Sequence, residues 1–102
     1  MIMKYVFLYL TEASRGGPTR QQILKCIEKT PKNNNQIAEE LSLDYKTIQH
    51  HLKVLMENSI IGTINKGGYG AVHYIHEDIK QYMKELEENW NKSGKTLKKK
   101  KG

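Results

Sequence analysis

A chain of 102 residues has room for one domain with a modest core, burying roughly 60–70% of the surface its unfolded form exposes, and none for a separate catalytic domain. Hydrophobic residues at 37% and a mean hydropathy of -0.72 suit a polar surface; the most apolar stretch, Met1 to Leu10, is broken by Lys4, falls short of the roughly 20 residues that span a bilayer, and lacks a small-residue cleavage site, so neither membrane anchor nor signal peptide is expected. The net charge of +6 equals that of residues 92–102 alone, where six lysines stand without an acid, so overall basicity is weak evidence about the folded part.

The N-terminal run, residues 1–14, is the hardest to read. Tyr5, Val6, Phe7 and Tyr9 favour a strand by propensity, but no partner strand is near, and we read a helix ending near Ala13. Pro18 interrupts what precedes it. Thr19-Arg20-Gln21-Gln22 reads as a capping box that opens a helix with Ile23, Leu24 and Ile27 at helical spacing. Cys26 sits among those apolar residues. As the only cysteine it forms no internal disulfide, which points to a reducing cytoplasm, and an apolar setting makes its thiol inert. Pro31 and the asparagine run end this helix.

A short helix follows from Gln36 to about Leu41, capped by an asparagine, with Ile37, Ala38 and Leu41 inward. After Ser42-Leu43, Asp44 caps a third helix, roughly Tyr45 to Asn58, whose Ile48, Leu52 and Leu55 form a core-facing stripe. Two short helices so close together make a helix-turn-helix signal. The period then changes. Residues 60–64 and 71–75 read as two strands joined by a turn rich in glycine (Gly67, Gly68, Gly70), which adds a wing. A last helix, residues 77–91, carries Ile79, Tyr82, Met83, Leu86 and Trp90 on one stripe, and the lysine-rich residues 92–102 read as a disordered tail. The fold class expected is mainly α with a small β-hairpin: a winged helix-turn-helix at 15–76, flanked by terminal helices.

Opposite its stripe, the third helix presents Lys46, Gln49, His50 and Lys53 at i, i+3, i+4 and i+7. Two cations for phosphates, a glutamine for a base edge and an imidazole are what groove reading requires, and Tyr45 and Thr47 stand in the turn that enters the groove. On its own, such a face is more often merely solvated; the helix before and the hairpin after change the odds. In the wing, Lys66, Gly67, Gly68 and Tyr69 suit a tip lying along phosphates, the small residues admitting close backbone approach.

Residues 19–76 resemble the winged helix of ArsR-type regulators. The resemblance rests on Thr19-Arg20 with Ile23-Leu24, on Gln36-Ile37-Ala38-Glu39-Glu40-Leu41, on Asp44 through Leu55, and on Tyr74; His51-Leu52-Lys53-Val54-Leu55 is its most specific run. Gly16-Gly17, Asp44-Tyr45-Lys46-Thr47 and Tyr69-Gly70-Ala71-Val72 look especially like small archaeal winged-helix proteins. The resemblance implies a transcription regulator, not an enzyme, binding double-stranded DNA as a homodimer with its terminal helices at the interface. That adds Arg20 to the expected DNA contacts, and places Val6, Leu10, Ile79, Tyr82, Met83, Leu86 and Trp90 at the dimer contact. Metal sensing does not carry over, because Asn34 to Leu41 contains no cysteine and no histidine follows His76. His73 and His76 by themselves are too few for zinc, and no cofactor is expected. A winged helix that docks proteins in a transcription assembly is the alternative, and an effector pocket beside the terminal helices is compatible with either.

Overall fold

The computed structural model describes residues 2–65 and 70–92. Helix α1, Ile2–Leu8, runs into a π-helical turn, Tyr9–Ala13; α2 follows at Gly17–Glu28, α3 at Asn34–Leu41, α4 at Tyr45–Glu57, strands β1 at Ile61–Ile64 and β2 at Val72–Ile75, and α5 at Glu77–Lys92. Mainly helical with one antiparallel hairpin, this is the expected winged helix-turn-helix.

The N-terminal run is helical despite its β-prone residues. A helical period turns Phe7 and Leu10 into the core, and Phe7 meets Tyr82 of α5 with ring centroids 5.9 Å apart. Tertiary burial overrides a propensity that spans only about 1 kcal/mol. At the π-helical turn, the Thr11 hydroxyl donates to the Phe7 carbonyl at 2.7 Å, and the Ser14 N–H closes the turn on the Tyr9 carbonyl at 2.9 Å.

Thr19 does not cap α2. That helix begins two residues earlier, at Gly17, with Gly16 at the cap, Pro18 inside the first turn and no side-chain cap bond. Proline suits that position because it has no N–H to leave unpaired. Gly17 is needed for proximity: a Cβ there would lie 2.6 Å from the Thr11 carbonyl oxygen.

Helix α3 also starts earlier than its apolar pattern suggests. Asn33 forms the capping box, its Oδ1 accepting from the Gln36 N–H at 2.8 Å while Gln36 Oε1 accepts from the Asn33 N–H at 2.9 Å. Ser42, left-handed at φ 57°, ends the helix and turns the chain into α4. Asp44 caps α4 as expected, accepting from the Thr47 N–H at 3.1 Å. In the hairpin Ile61 pairs with Ile75 and Ile64 with Val72. Lys32 adds a one-residue bridge to the free edge of β2, its N–H and carbonyl both bonded to His73.

The core joins Ile23, Leu24 and Ile27 of α2 to Ile37, Ile48, Leu52, Leu55, Ile60, Ile61 and Ile75, and is closed by α1 and α5. Ile79, Met83 and Leu86 are buried inside this same chain, at 0%, 2% and 4% exposure, and Leu10 at 7%. They therefore cannot be the partner-facing stripe expected of them: α5 folds back onto its own subunit and packs on α1, where Phe7 meets Tyr82. Val6 and Tyr82 are half-buried. Trp90 falls on α5, but its side chain lies outside the described residues, as do Lys66, Gly67, Gly68, Tyr69 and residues 93–102.

Candidate nucleic-acid interface

Helix α4 divides cleanly into two faces. Ile48, Leu52 and Leu55 are at most 1% exposed, whereas Tyr45, Lys46, Gln49, His50 and Lys53 are all exposed. The inward stripe fixes the rotation of the helix, and with side chains leaning towards the N-terminus it leaves the polar row pointing away from the protein. Among the described residues neither Lys46 nor Lys53 pairs with a carboxylate. Both cations are available to an external anion.

The start of α4 is anchored. The Thr47 hydroxyl donates to Asp44 Oδ1 at 2.5 Å, so half-buried Thr47 is engaged in the cap. That hydroxyl, with the Thr47 N–H, holds the Asp44 carboxyl below the usual carboxylate range. Tyr45 is braced by Asn34 of α3, whose Nδ2 donates to the phenol oxygen at 3.4 Å.

Arg20 does not belong to this face. It is 5% exposed, and its guanidinium points inward: Nε donates to the Leu10 carbonyl at 2.8 Å, Nη2 to the Ser14 hydroxyl, and Nη1 to His51 Nδ1 at 3.1 Å. Because α2 starts at Gly17, Arg20 is turned toward the π-helical segment instead of toward solvent. Burial lowers its pKa. His51, half-buried at the core rim as its place beside Leu52 dictates, is held below the ordinary imidazole value of 6.5 by burial first and then by the Arg20 and His50 charges.

The remaining histidines and the cysteine are structural. His73 has both ring nitrogens engaged, one 3.0 Å from the Thr63 hydroxyl and the other 2.6 Å from Asn34 Oδ1. Its partner in the two-histidine motif, His76, lies edge-on to Tyr74, with ring centroids 6.0 Å apart. Among the described residues no three metal-ligating side chains converge. The buried Cys26 thiol is pushed up to about 11, by burial and then by Glu40, as an inert thiol should be.

The contact residues expected on the N-terminal helix did not include three that are exposed. Ile2, Tyr5 and Tyr9 are 78%, 68% and 60% exposed, and with Val6, Leu10 and Asn58 they line a shallow groove of about 480 Å³. The signal was present: positions 2, 5 and 9 share one helical face once residues 2–13 are read as helical.

Residues 17–61 match the family described as bacterial regulatory protein, arsR family. No curated protein matches the chain. Among solved structures, the homodimeric winged helix-turn-helix DNA-binding domain Mb0332 of Mycobacterium bovis, a possible ArsR-family transcriptional regulator, superposes with a TM-score of 0.72 at 15% identity, covering 90% of this chain and 82% of that one. The transcriptional regulator HlyU of Vibrio vulnificus gives 0.67 at 20% identity over 85% and 88% of the two chains. FabT of Streptococcus pneumoniae, solved in complex with DNA, gives 0.62 at 15% identity over 91% and 68%. No described helix is long and apolar enough to cross a membrane. The segment from α2 to the start of β1 thus resembles the arsR-family helix-turn-helix, in a chain that has the winged helix-turn-helix fold.

Proposed function

We propose that this protein is a sequence-specific transcription regulator that binds double-stranded DNA as a homodimer, with α4 in the major groove and the wing, residues 65–70, along the phosphate backbone. One observation carries the reading: α4 offers Lys46, Gln49, His50 and Lys53 in a single exposed row, braced from behind by Ile48, Leu52 and Leu55, with both lysines free of carboxylate partners among the described residues. A helix so presented can enter a groove about 12 Å wide, with Gln49 pairing to a base edge and the lysines contacting phosphates. Tyr45 and Thr47 stand at the entering end. Lys66, Gly67, Gly68 and Tyr69 are assigned to the wing contact by their composition.

The dimer contact falls on α1. Burial within the subunit removes Leu10, Ile79, Met83 and Leu86 from consideration, and Ile2, Tyr5 and Tyr9 with Val6 are the exposed apolar side chains that a second copy would cover. Support comes from the homodimeric state of the Mycobacterium bovis domain and from the DNA complex of FabT, both sharing this fold.

Binding to a selected DNA site, measured by fluorescence anisotropy at fixed salt, tests the reading. Gln49→Ala is expected to lose about 1–3 kcal/mol against the selected site and little against random DNA. Lys46→Ala is expected to weaken both and lower the salt slope by about one. Indifference to DNA throughout, with loss of a protein complex in the same variants, would instead mark a protein-docking module.

A further inference from the structure

We infer that Arg20 is a positioning residue for the recognition helix: it seats α4 through His51, and protonation of His51 releases that seat, so that discrimination between DNA sequences falls in acid. The contact stands on geometry alone, whereas its consequence for DNA rests on the function proposed above.

Arginine has only donors, so the nitrogen it meets must present a lone pair. His51 Nδ1, 3.1 Å from Arg20 Nη1, is therefore unprotonated, with the ring proton on Nε2. A proton on Nδ1 would set donor against donor and cation against cation. Arg20 has little freedom to retreat, because Nε holds the Leu10 carbonyl at 2.8 Å and Nη2 holds the Ser14 hydroxyl, both on the π-helical turn and the residue after it. His51 is the member that must give way, and it is carried by α4, one residue from His50 and two from Lys53.

The charged and titratable surroundings favour such a response. Facing His51 are Arg20 from α2 and His50 from α4, whose ring lies edge-on at 5.2 Å between centroids. Facing the guanidinium is the Tyr9 phenol of the π-helical turn. Among the described residues no carboxylate pairs with Arg20 or His51. A buried guanidinium with only neutral acceptors is an expensive arrangement for stability alone.

Gly16 gives independent support. A Cβ at that position would stand 2.6 Å from Arg20 Nη1 and 2.9 Å from both Arg20 Cζ and His51 Cε1. Its missing side chain is the space in which the contact forms, which gives the glycine pair before α2 two separate tasks: Gly17 admits the Thr11 carbonyl and Gly16 admits the Arg20–His51 bond.

The test compares wild type, His51→Gln and Gly16→Ala at about pH 7.5 and about pH 5.5, either side of the ordinary histidine range. Glutamine keeps a neutral acceptor for Arg20, while the alanine methyl pushes the pair apart at every pH. The quantity read is the ratio of affinities for a selected site and for random DNA, since a general gain of positive charge in acid strengthens both alike. In wild type the ratio is expected to fall about tenfold on acidification, within the usual range for coupled equilibria. His51→Gln should hold its ratio, and Gly16→Ala should be low at both pH values. NMR of the free proteins gives a readout without DNA: the Leu10 and Ser14 amides, on the far side of the Arg20 contact, should shift as His51 titrates, and stay still over the same range in His51→Gln. Equal pH dependence of the ratio in wild type and His51→Gln, or titration of His51 without movement of the Leu10 and Ser14 amides, overturns the inference. Absence of DNA binding at any pH would sink the proposed function, leaving the amide shifts to decide the contact.

Discussion

His73 and Asn34 share a hydrogen bond of 2.6 Å that ties the second wing strand to the first turn of α3. Asn34 reaches on to the Tyr45 hydroxyl at 3.4 Å, so one side chain touches the wing and the recognition helix together. Asn34→Ala leaves a buried imidazole nitrogen without its partner and is expected to lower stability by about 1–3 kcal/mol in urea unfolding. A change within about 0.5 kcal/mol, the range of an ordinary surface substitution, would show that the bond does not hold the wing.

Stability should fall in acid. Burial holds both His73 and His51 below the ordinary imidazole value of 6.5, so the unfolded chain takes up protons at a pH where the folded chain has not. Stability then rises with pH across that interval. The histidine contribution is full above about 6.5 and is lost as pH falls from there toward the folded-state values. Urea midpoints across this range are expected to drop in wild type and to be flatter in the His51→Gln, His73→Gln double variant. A wild type that gains stability over the same descent contradicts the burial assigned to these rings.

The two faces of α4 should separate stability from recognition. Leu52, 1% exposed, lies in the core next to exposed Lys53. Leu52→Ala is expected to cost about 2–5 kcal/mol in unfolding free energy. Lys53→Ala should stay within about 0.5 kcal/mol. Comparable losses from the two would mean that the helix is rotated from its described position.

Self-association should follow the exposed aromatics and not the buried stripe. The double variant Tyr5→Ser, Tyr9→Ser is expected to shift sedimentation from dimer to monomer with little loss of thermal stability. Met83→Ala, a cavity at a site 2% exposed, should lower the melting temperature by the equivalent of about 2–5 kcal/mol. A dimer untouched by the tyrosine changes would move the contact elsewhere.

Much of this fold was legible because its signals are local. The stripe of Ile48, Leu52 and Leu55 and the Asp44 cap lie within a dozen residues, and together they place the polar row on the outside of α4. What misled were features decided by distant contacts. Thr19 has the chemistry of a cap, yet the approach of Gly17 to the Thr11 carbonyl starts α2 earlier. Arg20 is grouped with the expected DNA contacts, but an acceptor ten residues back and another on His51 draw it inward. The α5 stripe is the same whether a partner or the chain's own α1 covers it. Spacing cannot distinguish the two, and only the packing of Phe7 on Tyr82 decides it. The single-residue bridge of Lys32 to His73 has no periodicity to announce it.

Selection of bound fragments from a random DNA pool, at stated salt, bears most directly on the claim that the outer face of α4 reads sequence. The expected product is a two-fold symmetric site with half-sites about 34 Å apart, lost on Gln49→Ala. A pool that shows no enrichment over many rounds, while the protein remains folded, would contradict it.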